Sequence, residues 1–187
     1  AFDFGAETER TLDKKMVQEV HSDLTSGAAA HSAVRLALNE GLSFMGDTKG
    51  GPFELSFSEA LPLLFSPNPH GRPSSDVLVP WCSGIDVTRR SRDSWIIDFP
   101  LGSSEADCAK YQGVYGLCAA RVKPARLSSR SSIKTWWLHE RPRPEMRGAL
   151  APLSRFLGTV AVAKYGLFSW FESPTLPDHG VIIFALA

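Results

Sequence analysis

At 187 residues, 43% hydrophobic and 21% charged, the chain has the composition of a globular protein large enough to bury a core without staples. Its formal charge is zero, and no apolar run reaches the ~20 residues that a membrane helix needs. Its three cysteines (Cys82, Cys108, Cys118) are odd in number and lack paired spacing, so they read as reduced thiols and not as a disulfide frame or zinc site.

In chain order, Leu12, Met16, Val17, Val20 and Leu24 recur at helical spacing, which predicts a helix or amphipathic connector over Thr11 to Leu24. Gly27 to Ala30 reads as a link, and residues 1–30 as a connector preceding a domain over 31–187. His31 to Leu38 alternates loosely, with Ala33 or Val34 inward, and Asn39-Glu40-Gly41 turns it. Phe53, Leu55 and Phe57 alternate as one face of a strand, and Ser58 is expected to cap a helix through Phe65. The prolines and glycine of Ser66 to Ser75 dictate a loop. Trp95 to Phe99 is a strand ended by Pro100, and Ser103-Ser104 caps a helix from Glu105 to about Ala120. Leu127 to Lys134 is small, polar and basic, and reads as a mobile loop. Pro144 suits the first position of a helix to about Phe156. Gly158–Ala163, Leu167–Phe171 and Val181–Leu186 read as a C-terminal β-meander, with a turn at Asp178-His179-Gly180. Strands and helices mix without βαβ alternation. The expected class is therefore α+β: a mixed, mostly antiparallel sheet with flanking helices. The start at Ala1 and the uncapped apolar run to Ala187 suggest a piece of a longer protein. With no secretory signal visible, the expected location is cytoplasmic.

The zero net charge hides a strong asymmetry. Between Arg121 and Lys164 stand ten Lys and Arg against two acids, a net +8, while the 120 residues before carry −6 and the tail −2. Cations interleaved with Trp136-Trp137 suit a polyanion that also offers bases to stack on. Arg121, Lys123 and Arg126 follow a helix and lead into the polar loop bearing Arg130 and Lys134, an arrangement suited to phosphate contacts. Arg141-Pro142-Arg143-Pro144 holds two guanidinium forks on a stiff segment, able to grip phosphates or read guanine. His139 is placed to donate to a phosphate, and the Lys164-Tyr165-Gly166 turn lifts one lysine and one ring outward. If Trp136 and Trp137 lie on a strand, one faces the core and the other is exposed.

Other chemistry finds little support. In Met45 to Gly51 the lysine precedes the glycine pair, the reverse of a phosphate loop, so the segment reads as a turn feeding the Phe53 strand. The five histidines show no metal-ligand spacing, and no cysteine has an evident histidine partner. Asp3, Asp86, Asp93 and Asp98 are scattered, and Asp98, on a strand, is expected to act as a structural anchor.

The run from Trp136 to Arg147 (WWLHERPRPEMR) is followed by Arg155 to Thr159, Val162 to Tyr165, Leu167 to Trp170 and Val181 to Ala185. Upstream stand Ser43 to Asp47 and Trp95 to Phe99, with Tyr111, Tyr115, Val122-Lys123-Pro124 and Arg126 between. Over roughly Leu36 to Ala187, this order resembles the target-recognition domain of MmeI-like bacterial DNA methyltransferases. That family consists of class I, S-adenosylmethionine-dependent, adenine-specific enzymes, often fused to a restriction nuclease. The resemblance implies that 31–187 is a DNA target-recognition domain. Its partners would be double-stranded DNA and a catalytic methyltransferase domain of the same parent chain. It also implies DNA contacts from Arg121, Lys123, Arg126, Arg130, Lys134, Trp136, Trp137, His139, Arg141, Arg143, Lys164 and Tyr165.

The chain departs from the family in its catalytic parts. Asn68-Pro69-His70 lacks the second proline and aromatic of the family's Asn-Pro-Pro signature, and the glycine motif for S-adenosylmethionine is missing. Val162 to Tyr165 replaces a valine-serine-lysine-histidine type of run. The cofactor is therefore expected in the parent enzyme and not here, with no catalytic or metal residue in this chain. The alternatives are a small hydrolase around Asp98 and His139, and a protein-interaction module with a basic face.

Overall fold

The computed structural model describes residues 9–20, 25–26, 34, 36–128 and 133–186. It divides into two units, Ala1–Glu40 and Gly41–Ala187.

In the first unit, the expected helix over Thr11 to Leu24 is replaced over its described part by an antiparallel hairpin of β1 (Arg10–Leu12) and β2 (Lys15–Val17). Asp13 and Lys14 both take positive φ, 49° and 63°, which is the two-residue turn whose twist suits paired strands. Leu12 and Val17 then share the half-buried face. The helical spacing was fortuitous, because a two-residue turn shifts the alternation by one place. Val34 is exposed, so the inward role considered for it is not seen; the link at 27–30 and residues 31–33 lie outside the described residues.

In chain order, the second unit carries β3 (Ser43–Met45), β4 (Glu54–Leu55), α1 (Phe57–Phe65), β5 (Leu78–Cys82), α2 (Gly84–Thr88) and β6 (Trp95–Ile97). These are followed by α3 (Glu105–Cys108), α4 (Gln112–Leu127), α5 (Pro144–Leu150), β7 (Arg155–Val160), β8 (Phe168–Glu172), β9 (Leu176–Pro177) and β10 (Val181–Phe184). One sheet, ordered β3-β10-β7-β8, is antiparallel throughout. The other, ordered β4-β6-β5-β9, has one parallel pair, β5 with β9. The class is α+β, as expected. The C-terminal strands, however, are not a simple meander. β10 pairs on the side of β7 away from β8, because β9 first carries the chain to the other sheet.

Helix boundaries follow local chemistry. Ser56, not Ser58, caps α1, and Glu59 closes a capping box by accepting the Ser56 amide at 2.9 Å. The helix expected over Glu105 to Ala120 is two helices, broken at Tyr111, and the second runs on through Pro124 to Leu127. Pro144 is the first residue of α5.

The two sheets have different surroundings. In β6, Ile96 and Ile97 point to opposite faces and both are buried, so the mixed sheet is covered on both sides. In the antiparallel sheet, Phe156, Val181 and Ile183 face inward, while Phe168 and Trp170 on β8 stand outward and exposed.

The sheets are joined where β3 ends. The Gly46 amide bonds Val181 O (3.0 Å), the Asp47 amide bonds Pro177 O (2.8 Å), and the Asp178 amide reaches Cys82 O (2.7 Å). A Cβ at position 46 would lie 2.2 Å from the Asp178 carbonyl oxygen, so only glycine permits this approach.

Trp136 and Trp137 lie in a turn after the short helix Ile133–Thr135, not on a strand, so both enter the core. Their rings meet edge to face at 5.9 Å, and their indole N–H groups donate to Glu105 Oε1 (3.2 Å) and Ser103 O (3.0 Å) respectively.

All three cysteines are free and buried. Burial raises the thiols of Cys82 and Cys118 to about 12 and that of Cys108 to about 11. At pH 8 none should react with Ellman's reagent in the native chain, and all three should react in urea; rapid native labelling would contradict this packing.

Candidate nucleic-acid interface

The fold spends much of the basic stretch internally. Arg121 donates to Glu59 Oε1 at 2.5 Å, and this bond, with those from Ser56, holds the Glu59 carboxyl down at about 2. Lys123 pairs with Glu105 (3.5 Å) and lies 5.0 Å from the Trp136 ring. Arg126 is buried, donating to Gly50 O (3.3 Å), Thr135 O (3.4 Å) and Lys49 O (2.7 Å), with its guanidinium over Phe53. Burial lowers its pKa from the usual arginine range. Arg155 stacks on Trp170 at 4.4 Å.

Four residues expected to touch a polyanion are therefore interior: Arg126, Trp136, Trp137 and His139. The imidazole of His139 sits between Asp47 Oδ1 (2.9 Å to Nδ1) and the Ile97 carbonyl (2.8 Å to Nε2), against the edge of Phe53. It has no ring nitrogen left for a phosphate.

Asp47, fully buried, and Asp98 belong to the same network. Arg147, on α5, grips Asp98 through both terminal nitrogens (2.6 and 2.9 Å) and reaches Asp47 Oδ2 at 2.7 Å. Its Nε donates to Pro142 O at 2.6 Å. Asp98 is thus an anchor, as its place on a strand suggested. The Asp98–His139 pair considered for hydrolysis is fully engaged within this network. Among the described residues, no group of three or more His, Cys, Asp or Glu is placed to hold a metal.

The remaining cations lie on the exposed edge of the junction. Glu140 and Arg141 pair with Lys49 and Thr48: the Arg141 amide bonds Thr48 O (3.0 Å) and the Thr48 amide bonds Arg141 O (3.1 Å). The Arg141 side chain is exposed and has no hydrogen-bond or ion-pair partner among the described residues. Arg143 takes a left-handed conformation (φ 51°), which costs a non-glycine residue roughly 1–2 kcal/mol. Its Nε donates to Gly46 O (3.3 Å). Lys134 is exposed, and Arg130 lies outside the described residues.

Beyond the Asp47–Asp178 bridge, a groove of about 660 Å³ runs between α2 and the β7–β8 turn. Ser83, Gly84, Ile85 and Thr88 form one wall, and Val160 to Leu167 the other. Lys164 and Tyr165 stand exposed there, the ammonium 5.2 Å from the ring. Arg89 and Arg90, also exposed, directly follow the groove residue Thr88. The charge count alone missed them, because they sit in the net-acidic part of the chain; their signal was adjacency to each other after a short capped helix.

The domain is a two-sheet α+β fold whose joined edge carries basic side chains free of carboxylate partners. Among solved structures it is similar to the type IIL restriction-modification enzyme MmeI, determined in complex with DNA. The TM-score is 0.61 at 11% identity, over 92% of this chain and 23% of that one. At that identity the likeness is one of fold, and the chain spans about a quarter of the neighbour's length. No protein-family profile matches the chain, and no curated protein matches it in sequence. No helix among the described residues is long and apolar enough to cross a membrane.

Two outcomes follow. Asp47→Ala should strand Arg147 and His139 and cost about 3–5 kcal/mol in urea unfolding; a loss below 1 kcal/mol would contradict a closed network. Separately, burial raises the Asp86 carboxyl, but bonds from Arg92 and Ser83 outweigh it and hold it at about 2. This stabilisation is present above the unfolded aspartate pKa and is lost as pH falls toward 2. The stability gap between the native chain and Arg92→Ala should therefore be full at pH 7 and shrink below about pH 4; a gap unchanged at pH 2.5 would contradict it.

Proposed function

We propose that this chain binds double-stranded DNA sequence-specifically, as the target-recognition domain of an adenine-N6 DNA methyltransferase or restriction-modification enzyme. The observation that carries the reading is Arg141. Its backbone is tied in both directions to Thr48, while its guanidinium is free, so a fork able to grip a guanine edge is held out at no ordering cost to the main chain. The likeness in fold to an enzyme determined on DNA supports it.

Arg141 and Arg143 are assigned to base readout. Lys134, Lys164, Arg89 and Arg90 are assigned to phosphates, with Tyr165 beside them; Arg130 is retained on its charge. Arg121 and Lys123 reach DNA only by leaving their carboxylates, so they are secondary. A catalytic domain of the parent chain would bind S-adenosylmethionine, flip the adenine and transfer the methyl group, while this domain holds the neighbouring duplex.

Neutralising about four phosphates predicts a log–log salt slope of roughly −3.5. Lys164→Ala should weaken binding to all duplexes alike and flatten the slope by about one. Arg141→Ala should instead remove about 1–3 kcal/mol of preference between a selected and a scrambled duplex. Fluorescence anisotropy across a salt series measures both. Absence of salt-dependent binding at about 50 mM salt would sink the reading.

A further inference from the structure

We infer that Arg147 is a positioning residue that sets the two base-reading arginines; this rests on the DNA reading above. Arg147 is partly buried and lines a small pocket of about 190 Å³ beside Asp98 and Met146, not the groove that carries Lys164 and Tyr165. Its four hydrogen bonds nevertheless tie the arm to the interior. Nε holds the carbonyl of Pro142, the residue between Arg141 and Arg143, at 2.6 Å. Both terminal nitrogens hold Asp98, and one also holds Asp47 at 2.7 Å.

Asp47 is the neighbour of Gly46, whose carbonyl receives the Arg143 side chain, and of Thr48, whose backbone pairs with Arg141. One guanidinium therefore fixes the peptide between the two arginines and the segment 46–48 on which both rest. The Arg147 amide also bonds Arg143 O at 3.1 Å, which helps hold Arg143 in its left-handed conformation.

Neutralising the buried Asp47 and the partly buried Asp98 needs only a cation. Holding the Pro142 carbonyl needs the Nε–H of an arginine, placed at the base of the fork. The two roles separate in Arg147→Lys, which keeps a positive charge near Asp47 and Asp98 but carries a single nitrogen, unable to serve the carboxylates and Pro142 together.

Two measurements on the intact chain test this. The first is hydrogen exchange. Arg147→Lys should speed exchange of the Arg141 and Thr48 amides about tenfold or more and leave those of β7 and β10 unchanged. Unchanged exchange at Arg141 and Thr48, or a uniform rise everywhere, overturns the inference.

The second is a mutant cycle on duplex binding. Arg147→Lys should weaken binding about tenfold in the native background and have no effect where Arg141 and Arg143 are already alanine. An equal loss in both backgrounds overturns positioning. If the native chain binds no duplex, the DNA reading falls, and the exchange measurement alone decides whether Arg147 sets the arm.

Discussion

The structure of the larger unit depends on gathering four polar side chains, two buried and two partly buried, into one network. Asp47, Asp98, His139 and Arg147 come from the β3 junction, the end of β6, the turn after Trp137 and α5. Taking such groups out of water costs several kcal/mol each, and their mutual attraction recovers this only when the geometry is complete. Completion needs all four segments in place at once. Apolar contacts would tolerate a slipped strand or a rotated helix, whereas this set admits one arrangement.

That arrangement also sorts the surface. A linear count assigns the same weight to every lysine and arginine between Arg121 and Lys164. The fold does not: Arg126 is buried, Arg147 is held by Asp47 and Asp98, Arg121 and Lys123 face carboxylates, and Arg155 lies on a tryptophan. Lys134, Arg141 and Lys164 remain outward, and Arg89 and Arg90 join from a part of the chain whose net charge is negative. The basic character of the edge is thus made by what is withheld from internal pairing.

Much of the fold was legible in the residues. Proline at the start of α5, the strand at Trp95 and the α+β mixture follow from local chemistry, which operates over a few positions. The errors arose where distant segments decide. A two-residue turn of Asp13 and Lys14 overrode helical spacing. β10 departed from a meander because β9 pairs with β5 in the other sheet. Both tryptophans went inward because Glu105 and Ser103 offered acceptors for their indoles. Asp47 read as part of a glycine-rich turn, since nothing within ten positions reveals that Arg147 closes on it. The arginines of the arm were legible as stiff and basic; that Arg141 stays free while Arg143 is tied to Gly46 O was not.

Residues 161–168 form a continuous exposed tip, with Val162 at 90% and Tyr165 at 66% exposure. Substitutions at such positions usually change stability by no more than about 0.5 kcal/mol in either direction. The interior that sets the arm and the tip that meets the surroundings are thus separately mutable. A lineage can try many side chains at the tip without risking the fold, so the tip can change quickly while the framework stays constant.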